Sequence, residues 1–148
     1  WAFGAVPGAV PGAMPVVIFT DGGSRNNPGI AGAGVVIYDG REKVAELSKY
    51  LGVQTNNWAE YEAVFLALEE AQRLDFGDRD IEMKLDSKLV VEQLSGRWKI
   101  KEPTLKPQAA KIRTLMDQFP SVMFSHIPRE ENGEADKLAN DAMDRKGK

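Results

Sequence analysis

The sequence contains no cysteine and only one histidine. The first absence excludes disulfides, zinc-thiolate sites and thiol catalysis. The second excludes a histidine-rich metal centre, since His126 stands alone. Any metal must therefore sit mainly on oxygen ligands, which points to Mg²⁺ or Mn²⁺. No apolar run approaches the roughly 20 residues of a membrane-spanning helix, so no membrane partner is expected. A strong positive balance is also missing: the formal net charge is −3. A protein that simply coats nucleic acid is normally basic. Acidity does not count against an enzyme whose carboxylates gather around metal ions. The lack of cysteine suits a reducing compartment, and the cytoplasm is the expected location.

What remains is ordinary for a globular protein: 148 residues, 43% hydrophobic and 28% charged. That length suggests one domain able to bury its own core. Residues 1–13 read WAFGAVPGAVPGA, an uncharged low-complexity stretch without the basic start of a secretory signal. They are expected to be an appended or leader segment, with Met14 as the natural start and 14–148 as one domain. Nothing obvious marks an oligomer interface, and a monomer is expected.

Val16–Thr20 is β-branched and aromatic and predicts a buried strand. Asp21–Gly29 reads as a polar, turn-rich loop. Ala31–Tyr38 and Val44–Leu51 predict two further strands, joined by an Asp39-Gly40 hairpin signal. Asn56 or Asn57 can cap a helix running to about Asp75. Ile81–Leu85 predicts a strand, Lys88–Leu94 a short helix and Gln108–Phe119 another helix. Val122–Ile127 predicts the fifth strand, and a helix from Asn132 to about Arg145 closes the chain. The order implies an α/β fold: an antiparallel meander, then strands alternating with helices that cover a mixed sheet.

Four carboxylates stand out against this pattern. Asp21 and Asp86 each directly follow an apolar strand, and sites in α/β sheets gather beyond strand ends. Taken singly, each is equally a turn or helix-cap residue. Glu60 shares a helical face with Val64, Ala67, Ala71 and Leu74. A core-facing acid needs a partner or a cation, although a half-exposed first-turn Glu would also suit the helix dipole. Asp136 lies in the first turn of the last helix, beside Ala135, Leu138, Ala139, Ala142 and Met143. Four converging carboxylates repel one another and raise one another's pKa values. Divalent cations remove that cost. A pair of them about 3.5–4 Å apart can activate a water and stabilise a leaving oxygen.

Four segments, TDGGSRNNPG (20–29), TNNWAEYEA (55–63), DSKLVVEQL (86–94) and PREENGEADKLAN (128–140), occur in an order and spacing that resemble type 1 ribonuclease H. The resemblance covers residues 15–146. It implies a ribonuclease H-like fold with a five-stranded mixed sheet, its first three strands antiparallel. It implies endonucleolytic hydrolysis of the RNA strand of RNA–DNA hybrids, by two ions of Mg²⁺, or Mn²⁺ in its place, leaving 5′-phosphate and 3′-hydroxyl ends. Carried over position by position, it implies Asp21, Glu60, Asp86 and Asp136 as metal-binding catalytic residues. It also implies Asn27, Asn56 and Asn57 along the substrate and Thr55 at a DNA phosphate. Asparagine both donates and accepts, as reading a 2′-hydroxyl requires. The first loop lacks the lysine of a phosphate-gripping P-loop.

The sequence departs from the better-known family pattern in two places. The long basic helical protrusion is absent, and the stretch SGRWKIKEPTLKP (95–107) is short. Residues 88–113 nevertheless carry Lys88, Arg97, Lys99, Lys101, Lys106, Lys111 and Arg113 against Glu92 and Glu102. This predicts a salt-sensitive contact with a nucleic-acid backbone, with Trp98 packing on sugar or protein. The second departure is the auxiliary histidine that many family members carry in a loop before the last Asp. His126 precedes Asp136 but is expected to end a strand, and the loop is shortened, which makes Arg129 the alternative. Other readings are a related nuclease acting on double-stranded RNA or partnering a polymerase, and a non-catalytic nucleic-acid-binding module. A pure binder has no need of four clustered carboxylates.

Overall fold

The computed structural model describes residues 14–146. The expected leader, residues 1–13, lies outside them. Three strands open the domain: β1 (Val16–Arg25), β2 (Gly29–Asp39) and β3 (Glu42–Gln54). Then follow α1 (Asn56–Arg73), β4 (Ile81–Leu85), α2 (Lys88–Leu94), α3 (Lys106–Met116), β5 (Val122–His126) and α4 (Gly133–Arg145). A single 3₁₀ turn, Arg129–Glu131, precedes α4. The sheet order is β3-β2-β1-β4-β5. β1, β2 and β3 pair antiparallel, whereas β4 joins β1 and β5 joins β4 in parallel. The expected five-stranded mixed sheet is present, with its first three strands antiparallel.

Helices cover both faces, and this explains the sequence of β2. Ala31–Ile37 are all buried, as in a strand with no solvent side. Ala33, Val35 and Ile37 join the core cluster that includes Tyr61, Val64 and Leu68 of α1. On the other face Gly34 meets α4, where a Cβ would lie 2.1 Å from the Ala135 carbonyl oxygen. Any side chain there would push α4 off the sheet. In the middle, Val16 and Ile18 of β1 and Ile81, Met83 and Leu85 of β4 are buried together. Each contributes about 1.5–3 kcal/mol, so the two central strands are held firmly in register.

The main correction concerns residues 21–25. They continue β1 rather than forming a loop, and Asp21 pairs with Gly34. The β1–β2 ladder needs only Asn26, Asn27 and Pro28 to turn, and Gly29 already belongs to β2. Turn-rich composition misled because the glycines serve close helix approach. A Cβ on Gly22 would stand 2.2 Å from the Ala59 carbonyl oxygen of α1. The cap of α1 also differs from expectation. Thr55, not Asn56 or Asn57, accepts the Trp58 N–H at 3.2 Å. The asparagines are then helical from the first position. Other differences are at ends: α1 stops at Arg73, α3 spans 106–116, β5 stops at His126 and α4 starts at Gly133.

Candidate active site

Register explains why the two strand-borne aspartates meet. Thr20 of β1 pairs with Leu85 of β4 in parallel. The next residues are Asp21 and Asp86, side by side where the parallel ladder ends. β1 runs on past that point with β2 alone, so Asp21 is a strand residue whose parallel neighbour has stopped. Glu60 arrives from α1, one turn past the Thr55 cap. The Gly22 N–H points at its Oε1 at 3.4 Å, a contact that the missing side chain of Gly22 makes possible. Glu60 is 7% exposed, which resolves the sequence ambiguity in favour of a core-facing acid. Oxygens of Asp21, Glu60 and Asp86 all lie within 4.8 Å of one another. Asp136, in the first turn of α4, lines the same cleft of about 360 Å³.

This crowding has an electrostatic consequence. Burial, then the charges of Asp86 and Glu60 and the nearby Asp136 carboxyl, push Asp21 up to about 9. Glu60 is pushed up to about 7, chiefly by burial; hydrogen bonds from Ser87 and the Gly22 backbone oppose the rise. Asp86 is raised by burial, opposed by Asn132 and by the Arg129 guanidinium. Without a cation the cluster therefore retains protons near neutral pH. A hard divalent ion fits this all-oxygen donor set and would displace them.

The remaining predicted residues fall into three groups. Asn27 and Asn56 are bound to each other's neighbourhood: the Asn56 N–H donates to Asn27 Oδ1 at 3.0 Å, and Asn56 Oδ1 accepts the Ser24 N–H at 3.2 Å. Both side-chain carbonyl oxygens are thus engaged by backbone N–H groups. Thr55 and Asn57 are exposed at the start of α1. Arg129 lines the cleft. His126 lies outside it, exposed at the end of β5, with Nε2 3.3 Å from the Asp86 carbonyl oxygen.

The chain matches a family model described as "Reverse transcriptase-like" over residues 19–142. The bifunctional protein Rv2228c of Mycobacterium tuberculosis is 46% identical over 131 residues, 87% of this chain and 35% of that protein. Its solved N-terminal RNase H domain superposes with a TM-score of 0.83 at 44% identity, covering 88% of this chain and 99% of the domain. The chain belongs to the type 1 ribonuclease H family. Ribonuclease HI of Halobacterium salinarum is 44% identical over 127 residues, 85% of this chain and 63% of that enzyme. LC11-RNase H1 from compost, solved in complex with an RNA/DNA hybrid, gives a TM-score of 0.84 at 48% identity and covers 88% of this chain and 97% of that one. The chain thus spans about a third of the Mycobacterium protein and under two thirds of the Halobacterium enzyme.

As a type 1 ribonuclease H the chain is a variant without the basic protrusion. Residues 95–105 connect α2 to α3 with no helix among them. Sequence reasoning overlooked several residues around the carboxylates. Ser87, which caps α2, also stands beside Glu60 and opposes the rise in its pKa. Arg25 and Asn140 line the cleft and are bonded at 3.1 Å. Asn132 is 1% exposed. The last was legible only as a possible helix start, because nothing in one sequence says that its amide turns inward.

Proposed function

We propose that this chain hydrolyses the RNA strand of RNA–DNA hybrids endonucleolytically, with residues 14–148 as the catalytic unit. The observation that carries the reading is the meeting of Asp21, Glu60 and Asp86 within 4.8 Å, with Asp136 on the same cleft. Its support is membership of a family in which LC11-RNase H1 was solved on an RNA/DNA hybrid. The four carboxylates would hold two Mg²⁺ ions, or Mn²⁺ in their place. When bound, such ions activate water and stabilise the leaving oxygen of an in-line displacement. The products are then a 5′-phosphate and a 3′-hydroxyl.

The chain's own residues supply the rest. The clustered carboxylates fix where the ions would be held, and through those ions they would keep the phosphodiester at the end of the parallel ladder. With their carbonyl oxygens engaged by the backbone, Asn27 and Asn56 keep their NH₂ groups for the substrate, beside exposed Asn57. The Thr55 hydroxyl accepts from the helix and keeps its own proton for a DNA-strand phosphate oxygen. Arg129 is the favoured auxiliary residue over His126, because it alone of the two lines the cleft. No helix among the described residues is long and apolar enough to cross a membrane, and the reading is of a cytoplasmic monomer.

The test is cleavage of labelled RNA–DNA, RNA–RNA and DNA–DNA duplexes, with Mg²⁺ and with EDTA. Cleavage of the RNA strand of the hybrid, dependent on the ion, is expected. Activity that survives EDTA would refute the metal chemistry, and preference for RNA–RNA would move the substrate to double-stranded RNA.

A further inference from the structure

The buried side chain of Asn132 has no role in the chemistry described so far. It occupies the N-cap of α4, where an asparagine ordinarily accepts an N–H from its own helix. Here it makes no such bond. Its Nδ2 instead donates across to the Thr20 carbonyl oxygen at 2.9 Å. That carbonyl belongs to the residue before Asp21. The Asn132 backbone carbonyl accepts the Asp136 N–H at 3.0 Å, and Thr20 in turn pairs with Leu85, the residue before Asp86. One residue thus joins β1 and α4 at the point where the segments that carry Asp21, Asp86 and Asp136 meet. Its Oδ1 is buried with no protein partner. A local capping rule is broken, and the amide is spent on a cross-domain link, as happens where function overrides local preference.

We propose that Asn132 is the positioning residue of the carboxylate cluster: its amide ties Thr20, in the middle of β1 where the parallel ladder ends, to the start of α4 beside Asp86, and so sets the geometry in which a divalent cation is held. This rests on the metal-centre reading above. Residues behind metal ligands orient them, and their loss typically weakens metal affinity or activity about 10- to 100-fold.

Asn132→Ser and Asn132→Asp separate positioning from folding. Serine is a good helix N-cap but too short to reach Thr20, so it removes the link while helping the helix. Aspartate keeps the shape but sets a carboxylate oxygen against the Thr20 carbonyl oxygen. The decisive measurement is Mn²⁺ binding to the full chain by calorimetry, below the melting temperature, alongside kcat and KM on hybrid. Both variants are expected to bind Mn²⁺ at least about tenfold more weakly. kcat should fall with KM little changed, and Asn132→Ser should melt no lower than the parent. Parental Mn²⁺ affinity in either folded variant overturns the proposal. Asp86→Asn, measured in parallel, distinguishes the two ideas. If it too binds Mn²⁺ normally, the metal-centre reading has failed; if it does not, only the role of Asn132 has.

Discussion

At the end of the parallel strands, Asp21, Glu60 and Asp86 are pressed together with their oxygens within 4.8 Å. Along residues 95–113 the basic side chains are spread over an exposed connection and one face of α3. Arg97 is already paired with Glu92, and Lys111 sits 4.4 Å from the centre of the Phe65 ring. The first region stores repulsion in a largely buried place, and only bound protons or a cation relieve it. The second stores none, because water and local partners screen each charge. A buried like-charged cluster is expensive enough to imply a chemical purpose, whereas an exposed basic run tunes affinity at most. Mutations should therefore act steeply and specifically in the cleft, and gently and additively in the basic segment.

The sharpest break is Asp86→Asn. It removes one ligand charge with almost no change in shape, and Asn also relieves crowding. Cleavage of hybrid is expected to fall at least about a thousandfold, beyond the 10- to 100-fold typical of residues behind the ligands. Circular dichroism and hybrid binding should stay close to the parent. Near-normal turnover would remove Asp86 from the reaction.

The same repulsion predicts a stability gain. A carboxylate whose pKa is raised on folding binds a proton that the unfolded chain releases. Between the unfolded value near 4 and the folded value, stability falls as pH rises. For Asp21, pushed up to about 9, that window covers neutral pH. In EDTA the parent should be most stable at mildly acidic pH and weaken steadily towards pH 9. Asp21→Asn should flatten that slope and add at least about 2 kcal/mol at pH 7.5, roughly thirtyfold in the folding equilibrium. Saturating Mg²⁺ should narrow the gap, because the ion stabilises only the parent. Equal melting of the two proteins across pH in EDTA would show that Asp21 is not strained.

Much of this was readable from sequence, for physical reasons that differ by residue. Val16–Thr20 and Ile81–Leu85 declared themselves through β-branched apolar runs, so both aspartates at their ends were found. Glu60 was found by helical spacing, but spacing gives a face and not a depth, and burial had to come from the packing of α1 on Gly22. The strand character of residues 21–25 was hidden because glycine and serine signal turns locally. Here they are selected by the approach of a helix distant in sequence. Thr55 lost the cap to two asparagines on propensity, since only backbone direction decides which residue precedes the first turn. Asn132 was hidden most deeply, because its partner carbonyl lies 112 residues away.

Between the two regions stands the auxiliary position. Arg129 lines the cleft and its charge opposes the upward shift of Asp86. Arg129→Ala should lower kcat about tenfold, the lower end of what residues supporting a metal site contribute. His126→Ala should change it by no more than about threefold, because the ring lies outside the cleft. A loss of about a hundredfold in His126→Ala alone, the scale of general acid–base catalysis, would reverse the assignment.

The gentlest effects belong to the basic segment. Lys99, Lys101 and Lys106 are exposed, and among the described residues no ion pair holds them. If each meets a phosphate, replacing it by alanine removes one released counterion without touching the carboxylates. KM should rise about two- to fourfold per lysine with kcat unchanged. The slope of log affinity against log salt should shrink by about one for each phosphate left without its lysine. Lysines far from the cleft on an otherwise acidic chain add long-range attraction even without touching the duplex, and that contribution would raise KM while leaving the slope nearly intact. The slope, rather than KM, therefore decides whether this segment touches the nucleic acid. An unchanged slope in all three variants would make it a solvated connection, and the contrast with the cleft would then be one between a working site and inert surface.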